Sequence, residues 1–234
     1  MKRNLFLVAF AAALLIAAAP VWAQSSGNFA AEIATTQCLI DNNDGSLDGG
    51  ITGTLLETTI KTPNSSQTAL LIRPSLVSGL YTKNRVSEDV ASSTVWAGLQ
   101  VRVCLDGKVV APGTPGAGGN ATCDPGDNDG WIFYNKRWVQ VSQNFLNQID
   151  ACHDNPDATV EECFLELAIS TLSAHSFDFV AGNVGGGTHT AKVEWRFEDS
   201  DGTGGNAAAC VGPGVLTVTQ VKTFSTGGGI DINP

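Results

Sequence analysis

The sequence predicts an all-β chain, an antiparallel β-sandwich stabilised by disulfides. Three observations carry that expectation. Apolar residues recur with period two in most segments, and strand-length runs are separated by Gly, Asp, Asn and Pro bends. Six cysteines lie downstream of an export signal.

Residues 1–23 read as a signal peptide. Met1-Lys2-Arg3 is a short basic start, Leu5 to Ala19 is unbroken apolar sequence, and Val21-Trp22-Ala23 places small residues at the cleavage positions before Gln24. The apolar run is shorter than the ~20 residues of a membrane span. Gln24 rather than a cysteine follows the cut, so no lipid anchor is implied. Residues 24–234 then form a single β-sandwich domain, secreted to the extracellular space, periplasm or cell surface, with no membrane contact after cleavage.

The first strand candidates are 28–40 (NFAAEIATTQCLI), 53–62 (GTLLETTIKT) and 68–81 (TALLIRPSLVSGLY). Next, Val95, Ala97, Leu99, Val101, Val103 and Leu105 alternate on one face. Asp106-Gly107 supplies a two-residue hairpin turn into Lys108-Val109-Val110. The run 132–141 (IFYNKRWVQV) follows a long Gly/Pro-rich loop. In 190–199, Val193, Trp195 and Phe197 face one way while Lys192, Glu194, Arg196 and Glu198 face the other, the signature of a strand with one wet face. Residues 214–224 are rich in Val and Thr and read as the closing strand. Trp96 and Trp195 are expected in the core.

One segment fits two patterns. In 158–172, Val160, Phe164, Leu167, Thr171 and Leu172 share a helical face, and Thr159-Val160-Glu161-Glu162 matches a capping box. Leu165, Leu167 and Ile169 alternate as a strand would. The surrounding all-β pattern and the following Ser176-Phe177-Asp178-Phe179 favour strands.

The block 173–221 (SAHSFDFVAGNVGGGTHTAKVEWRFEDSDGTGGNAAACVGPGVLTVTQV) resembles the last strands of jelly-roll sandwiches in secreted and phage-tail-type proteins. It shares with them a Gly-x-His-Thr step, an alternating strand bearing Trp and Arg, a Gly-rich turn and a final Leu-Thr-Val strand. The resemblance covers about a fifth of the chain and contains no catalytic motif. It implies a jelly-roll-like architecture, and architecture alone does not give function.

The six cysteines, Cys38, Cys104, Cys123, Cys152, Cys163 and Cys210, read as disulfides in an exported chain. Fifteen pairings are open to six cysteines. Proximity favours Cys104 with Cys123 and Cys152 with Cys163, leaving Cys38 with Cys210. A formal charge of −10, made more acidic by loss of Lys2 and Arg3, argues against nucleic acid as a partner. The only basic pair in the mature chain is Lys136-Arg137.

Candidate sites are few. Asn42-Asn43-Asp44-Gly45, Asp127-Asn128-Asp129-Gly130 and Asp199-Ser200-Asp201-Gly202 share the form [Asp/Asn]-x-Asp-Gly. With each glycine at the sixth position of an EF-hand loop, Ile40, Pro125 and Phe197 fall at the first ligand position, and Ile51, Lys136 and Ala208 at the last. The EF-hand register fails in all three, and turn chemistry explains the motif, since Asp and Asn bond their own backbone and Gly adopts positive φ. The alternative is a calcium site formed by Asp41, Asp44 and Asp48. No other cofactor is implied.

Trp131, Phe133, Tyr134 and Trp138 form a candidate sugar-stacking platform, with Asp127, Asp129 and Asn135 as hydroxyl acceptors. The competing expectation buries Phe133 and one or both of Trp131 and Trp138 in the core. His175 and His189 lie on or near strands and could face one another. No nucleophile frame such as G-x-S-x-G is present. The sequence therefore predicts a secreted non-catalytic module, either binding or surface-structural, with an unknown extracellular ligand, glycan or protein. The alternatives are a carbohydrate-binding or calcium-dependent lectin-like domain and, last, a secreted hydrolase.

Overall fold

The computed structural model describes residues 28–40, 53–64, 68–87, 92–113, 121–142, 164–199 and 206–222. They form eleven strands: β1 (Phe29–Ala34), β2 (Gln37–Ile40), β3 (Gly53–Thr62), β4 (Thr68–Ser87), β5 (Ser92–Leu105), β6 (Lys108–Val109), β7 (Ile132–Ser142), β8 (Phe164–Ser176), β9 (Phe179–Ala181), β10 (Gly187–Asp199) and β11 (Asn206–Lys222). The signal peptide, Cys152 with Cys163, the acidic residues Asp41, Asp44 and Asp48, and the first part of the 158–172 segment lie outside the described residues. From Phe164 onward that segment is strand, so the period-two reading holds there.

Two antiparallel sheets pack face to face. One runs β1-β11-β4-β8, with β2 beside β11 and β9 beside β4. The other runs β3-β10-β5, with β6 and β7 sharing the far side of β5. The long strands pair as nested couples: β5 with β7, β4 with β8, β3 with β10 and β1 with β11. That nesting is one long hairpin rolled into a sandwich, the jelly-roll topology. Both described disulfides are the expected ones. Cys38–Cys210 joins directly opposed residues of β2 and β11, and Cys104–Cys123 ties β5 to the loop before β7.

The core follows the alternation of the sequence. Ala97, Leu99, Val101 and Val103 of β5 and Val193, Trp195 and Phe197 of β10 meet Leu70, Ile72, Leu76 and Leu80 of β4 and Leu216 and Val218 of β11. Trp195 is in the core as expected. Trp96 is not: it is half-buried on the outer face of its sheet.

Pro74 sits inside β4, a central strand, where a missing N–H would ordinarily cost a ladder bond. It is tolerated because the neighbouring strand is interrupted at that point. β8 pairs as far as Ser75 and β9 resumes at Ile72. The Pro74 carbonyl, pointing into the same interval, accepts from the Phe177 amide at 3.5 Å. Arg73 closes the gap by gripping Asp178 with two guanidinium nitrogens, and these bonds hold the Asp178 carboxyl below its usual range.

Tyr134 links the two sheets. The register of β7 shifts between Leu99 and Gln100, so that Tyr134 is the extra residue of a β-bulge. Its ring turns inward and is 2% exposed. The hydroxyl accepts from the Leu76 amide at 3.0 Å and faces the carbonyls of Pro74, at 3.2 Å, and His175. Burial pushes the phenol up to about 12, opposed by the bond from Leu76.

Replacing Tyr134 with Phe removes the acceptor of the Leu76 amide and the hydroxyl that the Pro74 and His175 carbonyls face, and is expected to cost about 1–3 kcal/mol in urea unfolding at neutral pH. In the wild type the unfolded phenol ionises near 10 while the native one holds its proton to about 12. The contribution of Tyr134 is therefore complete below pH ~10 and is lost as pH rises through that window. The Phe variant should lack this part of the alkaline slope.

Candidate functional site

The outer face of the five-stranded sheet carries the most organised side-chain array among the described residues. Strand register sets its rows. Glu194 of β10 lies beside Arg102 of β5, Arg196 beside Gln100, and Glu198 beside Gly98. Across β5, Gln100 neighbours Phe133, Gly98 neighbours Lys136, and Trp96 neighbours Trp138. One end of the face is thus polar and the other aromatic.

At the polar end Arg102 is 1% exposed, and its Nε donates to Glu194. The other two guanidinium nitrogens donate to the Asp127 and Asp124 carbonyls, each at 3.1 Å. Trp131 Nε1 donates to the same Asp127 carbonyl at 3.2 Å, and the Arg102 and Arg196 guanidiniums each lie 4.7 Å from its ring centre. Glu194 also pairs with Lys192 at 2.6 Å. Arg196 reaches Gln100, Asn128 and Glu198 at 2.6, 2.9 and 2.6 Å. Burial lowers the pKa of Arg196, with Glu198 opposing the shift and Arg102 adding to it.

These contacts dock the 121–131 loop onto the sheet. Two of its acidic side chains are held within the loop. Thr122 donates to the Asp124 carboxylate at 2.8 Å and to that of Asp127 at 3.0 Å. Gly130 has φ +79°, and a Cβ there would meet Val109 Cγ1 at 2.4 Å, so no other residue fits the turn. Asp129 is half-buried beside it.

At the aromatic end, Trp138 is 66% exposed and Phe133 41%. Trp96 and Phe133 meet edge to face with centroids 6.3 Å apart. The Lys136 ammonium sits over both rings, 4.1 Å from Trp96 and 4.4 Å from Phe133. Gly98 is the floor beneath them: a Cβ there would come within 2.7 Å of Phe133 and 3.2 Å of Trp96.

The five residues singled out by sequence are therefore divided. Trp138 is on the open face. Trp131 is held among arginines, Asp127 and Asp129 belong to the turn, and Tyr134 is buried between the sheets, where it cannot stack a ligand. Asn135 also points inward, donating to Ser78 and Ser173 hydroxyls at 2.9 Å each. The open aromatic row is Trp96, Phe133 and Trp138 with Lys136. Alternation carried the missing signal: if Val95, Ala97 and Leu99 face the core, Trp96 cannot.

The histidines are separate. His175 bonds Ser173 at 2.8 Å and packs on Tyr134, whereas His189 lies on the other sheet. Beyond Ser173 the chain of contacts continues through Asn135 and Ser78, amide and hydroxyl rather than carboxylate. His189 joins Asp106 at 2.7 Å to the Gly185 carbonyl at 3.0 Å beside a cleft of about 170 Å³ at one end of the sandwich. Among the described residues, no group of three His, Cys, Asp or Glu side chains could hold a metal, and no helix is long and apolar enough to cross a membrane.

No family model matches the chain, and no curated protein does. Among solved structures it is similar to that of infectious bursal disease virus Gx strain, at 14% identity over 86% of this chain and 38% of that one, with a TM-score of 0.28. It is also similar to a family 35 carbohydrate binding module from Clostridium thermocellum, at 12% identity over 83% and 99% of the two chains, TM-score 0.23. Eiger TNF from S. frugiperda gives 10%, 86%, 98% and 0.23. The chain spans well under half of the viral chain, and at such identities these likenesses concern fold alone.

Removing Arg102 takes the partner from one oxygen of the buried Glu194 carboxylate and one donor from each of the Asp124 and Asp127 carbonyls. Arg102→Ala is expected to cost about 3–5 kcal/mol in denaturant unfolding. It should also free the loop, read as faster amide exchange over 121–131 and red-shifted tryptophan emission.

Proposed function

We propose that this protein is an exported, non-catalytic binding module that takes glycans on the outer face of its five-stranded sheet, centred on Trp138. The observation that carries this reading is the exposure of Trp138 at the middle of a strand, in a row with Trp96 and Phe133. A large ring left in water on a rigid strand forgoes burial worth roughly 1.5–3 kcal/mol, and a ligand that covers it recovers that energy. Indole offers a flat apolar surface with a polar edge, which suits the C–H faces and rimming hydroxyls of a sugar ring. Gly98 keeps the floor low enough for the Trp96 and Phe133 rings to close over it. Loop docking by Arg102 and the Cys104–Cys123 bond fixes the entry to β7 and so pre-orders the row, limiting the ordering cost of binding.

Trp138→Ala tests the assignment. Oligosaccharides that bind the wild type on a glycan array, and that quench its tryptophan fluorescence, should bind the variant about 10- to 100-fold more weakly, with the melting temperature unchanged because the ring is exposed. Binding that survives the substitution overturns the assignment. The same titration in EDTA separates this reading from a calcium-dependent lectin, whose binding would be lost.

A further inference from the structure

We propose, building on the glycan reading above, that the face selects anionic sugars and that Lys136 holds the acid group. The charge pattern of the sheet points to it. Arg102 and Lys192 both pair with Glu194, and Arg196 pairs with Glu198. Lys136, among the described residues, meets only the Trp96 and Phe133 rings, and its side chain is exposed. The acid in its own row, across Gly98, is Glu198. Both oxygens of Glu198 are engaged, one with Arg196 at 2.6 Å and the other accepting from Gln100 at 3.0 Å.

Among the described residues no carboxylate meets the Lys136 ammonium. The aromatic faces stabilise an ammonium without neutralising it, so its charge remains available to an anion. Lys136 and Trp138 are two residues apart on one face of β7, roughly 7 Å along the strand. That spacing lets one sugar stack on Trp138 while its exocyclic acid reaches the ammonium.

The test is calorimetric titration of the mature protein at 0.15 M salt with matched neutral, uronic-acid and sulfated oligosaccharides. One acidic series should bind about tenfold more tightly than the neutral one, as a charge-assisted contact gives. The series that wins identifies carboxylate or sulfate as the anion. Lys136→Gln should equalise acidic and neutral sugars, and Lys136→Arg should retain most of the preference. Equal affinities in the wild type, or a preference that survives in Lys136→Gln, overturn the inference. If neutral sugars bind in a Trp138-dependent way without acid preference, the glycan reading stands and this one falls. If no sugar of any series binds the wild type, both fall.

Discussion

The buried guanidinium of Arg102 is the constraint around which the outer face of the five-stranded sheet is arranged. A cation removed from water is tolerated only if every donor is met, because the desolvation of a bare charge exceeds what packing returns. Here the donors are met from two directions. Glu194 comes from the adjacent strand of the same sheet, and two main-chain carbonyls come from a loop that the chain must fold back to deliver. The Cys104–Cys123 bond holds that loop two residues along β5 from the arginine. Trp131 then lies against two guanidiniums and fixes where β7 begins. The position of Trp138 is a consequence of how Arg102 is satisfied.

The jelly roll determines which edges and faces remain open. Nested pairing leaves β3 and β7 at the two sides of one sheet and β1 and β8 at those of the other. On β7, Lys136 lies over the rings of the outer face while Arg137 is half-buried. The bulge at Tyr134 lies on the same strand. It lets β7 send a phenol into the core and still present Phe133 and Lys136 outward on either side. The inter-sheet bond to Leu76 and the outward aromatic row are therefore two results of one inserted residue.

Polar interactions also close the ends and seams of the sandwich. Arg73 with Asp178 spans the break beside Pro74, Asn135 links Ser78 to Ser173 between the sheets, and His189 ties the Asp106 turn to the Gly185 loop. Asn135 and His189 use a side chain to satisfy hydroxyl or backbone groups that strand pairing leaves over. His175 and His189 have separate partners on the two sheets. The aromatic end of the outer face is different, because Trp138 and Lys136 are left with surface to offer.

The sequence by itself determined what depends on local periodicity. Val193, Trp195 and Phe197 against Lys192, Glu194 and Arg196 announced a half-buried strand. Asp106-Gly107 announced the hairpin of β5 and β6, and the spacing of cysteines suggested the Cys104–Cys123 and Cys38–Cys210 bonds. The turn reading of Asp127-Asn128-Asp129-Gly130 was legible in the same way, since Asp and Gly turn chemistry is local. Strict alternation would also have placed Trp96 outside. What only the tertiary structure decided is which aromatics of 131–138 share a surface. A single extra residue in β7 reverses the phase of Tyr134, and a bulge is set by long-range partners at Leu76 and His175 that no local pattern encodes. The pairing of Lys136 with rings rather than with Glu198 is likewise a matter of strand register, which is fixed by how the whole hairpin rolls up.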